Sequence, residues 1–146
     1  MVTSLLLFAH LSAVVLWVGG MAFAHWFLRP AVQALEPPHR VALMQRVLQR
    51  FLAAAGVAVV VALASGGVLM AFGVRGWHVH AMAALGLVMA AIYGHVRWVL
   101  YTRLARAAAA QDWPAGGAAL GAIRQWVGLN LGLGIVVIGV ALLGPR

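Results

Sequence analysis

The sequence predicts an all-α polytopic membrane protein, a single domain over residues 1–146 folded as an antiparallel, up-down-up-down four-helix transmembrane bundle. Two observations predict it. Hydrophobic residues make up 65% of the chain and mean hydropathy is +1.02, whereas a soluble domain is about half apolar. These residues also fall into four long apolar runs punctuated by Pro, Gly and Arg. At about 1.5 Å per residue, each run can cross a hydrocarbon core of roughly 30 Å.

The first run spans about residues 3–28 and is expected to stop at Arg29-Pro30, ahead of a polar link carrying Glu36, Pro37, Pro38, His39 and Arg40. Its Ala22-Phe23-Ala24 imitates a signal-peptide cleavage site. No basic segment precedes it and the run is long enough to span, so it reads as an uncleaved helix. A helix is not expected to pass the Pro37-Pro38 pair. The second helix is therefore placed at about 41–72, amphipathic around Arg46 and Arg50 and wholly apolar from Phe51 to Phe72.

Gly73, Arg75 and Gly76 mark the next turn. The third helix, about 77–110, ends in a basic, Ala-rich extension with Arg103 and Arg106. Asp112 is a suitable N-cap for the fourth, about 113–143, and Pro114 falls in its first turn, where a missing N–H costs little. The fourth helix also carries Arg124 and Asn130.

The net charge of +8 comes from ten basic residues, all Arg, against two acids. They lie between apolar runs, which points to membrane-flanking charge and not to nucleic-acid binding. Arg29, Arg40, Arg46, Arg50, Arg97, Arg103, Arg106 and Arg124 gather at the helix ends joined by the first and third links, with Arg75 and Arg146 at the opposite ends. The positive-inside rule then places both termini outward, on the periplasmic side of a bacterial-type inner membrane. Trp26, Trp98 and Trp113 near one face and Trp77 near the other suit interfacial belts.

The absence of cysteine excludes disulfides, iron–sulfur clusters and thiolate zinc sites. With Glu36 and Asp112 as the only acids, no carboxylate pair or hydrolytic triad is available. Any metal must be held by imidazole, thioether or oxygen.

Six histidines are present, and five of them, His10, His25, His78, His80 and His95, fall within or at the ends of the first and third helices. Ionisable groups at such depths are candidates for function. His10 to His25 and His80 to His95 are both 15 residues apart, which separates each pair by about 22 Å along its helix and about 60° around it. In an up-down bundle the first and third helices run in the same direction, so His10 falls level with His80 and His25 with His95.

Two cross-bundle imidazole pairs suit bis-histidine ligation of heme b, as one or two stacked groups. This site layout resembles the tandem-heme arrangement of respiratory b-type cytochromes. His78 lies about 200° from His80 around a helix, so the two do not readily share one iron, and a later helix start would exchange their roles. Arg97 and Arg124 are candidate partners of inner heme propionates, and Arg75 of outer ones. His78, His80 and Met82 form an alternative set for Cu(I).

Small residues, among them Gly19-Gly20 and Gly66-Gly67, would admit either a macrocycle or close helix packing. Gly128 and Gly132 form a GxxxG pattern compatible with a homodimer.

Further stretches carry a family resemblance. His10-Leu11 followed by Trp17-Val18-Gly19-Gly20 resembles the first-helix signature of the copper resistance protein D superfamily. Phe23-Ala24-His25 with Arg29-Pro30, Gly86-Leu87-Val88-Met89 through His95-Val96, Asp112-Trp113-Pro114 and Val127-Gly128-Leu129-Asn130-Leu131 extend the likeness over most of the chain. The resemblance implies copper import or tolerance, as associated with larger members, or a heme-containing oxidase of protoporphyrinogen, as in related four-helix proteins. That oxidase uses first- and third-helix histidines, which here match His10 and His78 or His80. The stretch after Trp17-Val18-Gly19-Gly20 reads Met21-Ala22-Phe23-Ala24-His25, without the Arg of the oxidase.

Three expectations follow. The first is a b-type cytochrome with His10, His80, His25 and His95 as axial ligands, exchanging electrons with a quinone or a redox partner protein. The second is a copper-handling membrane protein using His78, His80, His10 and Met82. The third is a scaffold whose histidines only bond across helices.

Overall fold

The computed structural model describes residues 1–143; Arg146, counted above among the opposite-end arginines, lies outside them. Four helices are each long and apolar enough to cross a membrane: α1 Val2–Val32, α2 Pro37–Ala71, α3 Trp77–Ala109 and α4 Trp113–Leu143. The links between them are so short that each helix folds back on its predecessor, which gives the antiparallel bundle. Helical spans pair most of their backbone polar groups internally, as a bilayer requires.

The helix bounds differ from the sequence expectation in two places, and proline chemistry explains both. α2 starts at Pro37 and not near Val41, because the two prolines occupy its first turn, where no N–H is needed. Glu36 enters in an extended conformation at φ −58° and ψ 150°. α1 runs past Arg29-Pro30 to Val32. The turn ahead of Pro30, Ala24–Leu28, is π-helical, with the Arg29 N–H donating to the carbonyl of Ala24 five residues back. This wider turn lets the chain carry Pro30, which otherwise crowds the carbonyl a turn before it. α3 holds a matching π turn at Val96–Leu100, where the Tyr101 N–H donates to Val96.

Two helices end in the same capping arrangement. After α2, Gly73 N–H donates to Met70 O and Val74 N–H to Leu69 O, with Gly73 at φ 96°. After α3, Gln111 N–H donates to Ala108 O and Asp112 N–H to Ala107 O, with Gln111 at φ 55°. Both are Schellman motifs that satisfy the last carbonyls of a helix. Asp112 then caps α4 as expected, its Oδ1 accepting from Ala115 N–H at 3.0 Å.

α1 packs chiefly on α2, and α3 on α4; α2 with α3 and α1 with α4 close the ring. Across the middle, α2 also touches α4, whereas α1 and α3 sit at the opposite corners and make at most marginal contact. One core, around Trp17, Met21, Ala55, Ala58, Met89 and Leu131, fills the half of the bundle nearer the termini. A second, around Val41, Leu52, Val96, Tyr101, Leu104 and Ile123, fills the arginine-rich half. At about 1.5 Å per residue, the 35-residue α2 is longer than a bilayer is thick. The second core thus packs the overhanging basic ends into a cap. Leu5, Phe8, Val15, Phe23 and Phe27 on α1, and Val57 and Val60 on α2, are exposed and face lipid.

Candidate functional site

His10 is half-buried where α1 meets α2. Its Nδ1 lies 2.9 Å from the carbonyl oxygen of Ala62 and 3.1 Å from Ser65 Oγ. A carbonyl only accepts, so Nδ1 carries the proton and the Nε2 lone pair is left bare. That is the tautomer a metal-ligating imidazole adopts when a backbone carbonyl holds its other nitrogen. Gly66 makes room for the ring, since a Cβ there would come within 3.2 Å of Cε1. Ser65 Oγ is itself engaged with the Val61 carbonyl. Ser65 and Ala62 had no signal in the sequence as partners of His10.

At the start of α3 the two neighbouring histidines part ways. His78 is half-buried, its ring folded back over Gly76, with Nδ1 buried and without a hydrogen-bond partner among the described residues. His80 is exposed on another face of the helix. Met82 follows His78 by four residues and is half-buried, which places imidazole and thioether on one helix face at neighbouring heights. Trp77 packs edge-on against the His78 ring at 6.1 Å.

The other two histidines accompany the π turns, His25 within the first and His95 directly before the second. Both reach α4, from different sides. The His25 ring lies over Gly128, whose Cβ would come within 3.3 Å of Cε1, and the His95 ring sits 5.0 Å from that of Trp126. Gly128 is thus occupied inside the chain by α1, although Gly132 faces open space.

The predicted cross-bundle pairing is not what this packing brings together. His10 is committed to α2, His80 faces outward, and α1 and α3 occupy opposite corners. Between them, the space bounded by Trp17, Met21, Phe51, Tyr93 and Asn130 measures about 10 Å³, room for a water and far too small for a porphyrin. As packed, the residues do not fit a heme bridged between α1 and α3. Among the described residues, no three His, Asp or Glu side chains form a group able to hold a metal.

The candidate propionate partners also disperse. Arg75 is exposed in the link between α2 and α3. Arg97 lies 5.4 Å over the Tyr101 ring in a cation–π contact. Arg124 lines a cleft of 190 Å³ together with His25, Arg29 and Arg40. In the sequence Arg29 and Arg40 stand as helix-boundary and topology signals, with no motif that marks them as partners in a site. Their placement on either side of the short first link was the clue that they converge.

Fold and composition define a multi-pass membrane protein of four helices. A family model described as copper resistance protein D matches residues 45–143, and the chain belongs to that family. The match covers most of α2 and all of α3 and α4, including His78, His80, Met82 and His95; His10 and His25 lie ahead of it. No curated protein and no solved structure matches the chain.

Proposed function

We propose that this protein handles copper at the membrane, taking Cu(I) at the end of the bundle opposite the arginine-rich cap. The observation that carries the reading is the His78–Met82 pair: a half-buried imidazole whose Nδ1 lacks a partner among the described residues, with a soft thioether one turn on. Imidazole and thioether are ligands that Cu(I) accepts, and the chain has no thiolate to compete for it. Membership of the copper resistance protein D family supports the choice of metal. Copper here is cargo, captured at the mouth of α3. His10, with its bare Nε2, is a second imidazole at the same end of the bundle.

The test is Cu(I) retention by detergent-purified protein under anaerobic reducing conditions, read by elemental analysis against a competing chelator. Wild type is expected to hold stoichiometric copper, with roughly tenfold or greater weakening in His78→Ala and in Met82→Leu. An optical spectrum on the same sample separates the heme reading. A Soret band lost on His10→Ala, with no copper retained, would replace copper by heme b and make the chain an electron-transfer protein.

A further inference from the structure

The cleft lined by His25, Arg29, Arg40 and Arg124 is built from three helices at the basic end of the bundle. α1 supplies His25 from its π turn and Arg29 just after it, α2 supplies Arg40 from its second turn, and α4 supplies Arg124. Arg40 donates a 3.4 Å hydrogen bond to Gln33. No carboxylate lines the space. The chain's two acids do not line it: Glu36 is exposed in the first link beside His39, and Asp112 caps the start of α4. Three arginines therefore line one cleft with no carboxylate beside them among the described residues.

The rest of the lining is largely apolar: Val32, Met44, Leu48, Leu120 and Val127 contribute side chains, and Gly117 and Gly121 of α4 leave the space open, since a Cβ at either would meet nothing within 4 Å. A cleft with a cationic rim and an apolar trough suits a molecule with an anionic head and a hydrocarbon tail. Arginine forks match the oxygens of a phosphate in pairs. Basic pockets between transmembrane helices, at the level of the headgroups, hold anionic phospholipids in this way.

We infer that this cleft binds an anionic phospholipid from the adjoining leaflet, with its phosphate among Arg29, Arg40 and Arg124 and an acyl chain along the trough beside Gly117 and Gly121. The lipid bridges α1, α2 and α4 at the basic end of the bundle. Binding there stabilises the basic cap, independently of any metal at the other end.

The experiment is a thermal melt of the purified full-length chain in a neutral detergent, titrated with phosphatidylglycerol, with phosphatidylcholine, or with inorganic phosphate. Phosphatidylglycerol is expected to raise Tm by several degrees, with neither of the others doing so. The Arg29→Gln/Arg124→Gln variant keeps the cleft's shape but loses charge, and should bind phosphatidylglycerol more weakly by roughly fivefold per arginine. Gly121→Leu keeps every charge but fills the trough, and should abolish the shift while its lipid-free melt stays near wild type. An equal shift with phosphatidylcholine, or an undiminished one in both variants, overturns the proposal. A full shift from inorganic phosphate alone overturns the lipid assignment.

Discussion

His10 on α1 donates its Nδ1–H to the carbonyl of Ala62 on α2, 2.9 Å away, with Ser65 Oγ at 3.1 Å sharing the same donor. This bond ties two helices that otherwise meet through apolar packing. Hydrogen bonds between transmembrane helices contribute about 0.6 kcal/mol on average and about 1.7 at most. His10→Leu should therefore lower unfolding free energy within that range, as read by steric trapping in bicelles. Since α1 and α3 stand at opposite corners, the same variant should keep the copper bound by His78 and Met82. Loss of copper in His10→Leu would make His10 part of that site.

A second cross-helix bond offers a sharper test of packing. Tyr93 Oη on α3 donates to the Leu52 carbonyl on α2 at 2.8 Å, and a Cβ at Gly56 would meet that hydroxyl at 2.5 Å. Gly56→Ala should displace the ring and cost about 1–3 kcal/mol, the range for overpacking a filled core. Tyr93→Phe alone should cost about 1 kcal/mol for the lost bond. In the double variant the penalty at Gly56 should shrink, because the atom it strikes is gone. A cycle of the four proteins with no interaction energy would refute the contact.

These contacts also show where the sequence was readable and where it was not. Four apolar runs with breakers gave four helices, and Asp112 was legible as a cap because capping depends on one side chain and its next few neighbours. The order of helices around the bundle was not legible. It rests on pairings such as Gly56 with Tyr93, Gly116 with Val41 and Gly20 with Phe51, in which a missing side chain admits a large one from another helix. Such pairings leave no periodic trace. The equal His10–His25 and His80–His95 spacings were real features of the sequence, yet spacing along a helix cannot say which helix lies opposite. α3 begins at Trp77, as the sequence predicts, yet it is His78 that is half-buried and His80 that is exposed, so the helix start did not decide between them. The π turns beside His25 and His95 depend on one backbone bond reaching five residues back, which no residue pattern announces.

The link between α3 and α4 combines a strained residue with a cap, so two neighbouring substitutions should act in opposite directions. Gln111 holds φ 55°, a region that costs an ordinary side chain about 1–2 kcal/mol relative to glycine. Gln111→Gly should raise stability by about 1 kcal/mol, once the greater chain entropy of glycine is offset. Asp112→Ala removes the acceptor for Ala115 N–H and should lower it by about 1 kcal/mol, whereas Asp112→Ser should nearly preserve it. Paired thermal melts would show the two shifts, and equal signs would contradict the capping geometry.

Membrane orientation can be tested because the chain has no cysteine to label in the background. The arginines at the first and third links outnumber those at the second, so the positive-inside rule puts the first and third links in the cytosol. Leu35 in the first link and Val74 in the second are both exposed, at 38% and 43%, and neither carries a hydrogen-bonding side chain. Leu35→Cys and Val74→Cys should each fold and present a reactive thiol on opposite faces. In intact bacterial cells a membrane-impermeant maleimide should label Val74→Cys at once, and Leu35→Cys only after permeabilisation. The reverse pattern would turn the bundle over, placing the arginine-rich cleft outside and the His78–Met82 pair toward the cytosol. Copper would then be taken from the cytosolic side, and the protein would act in export.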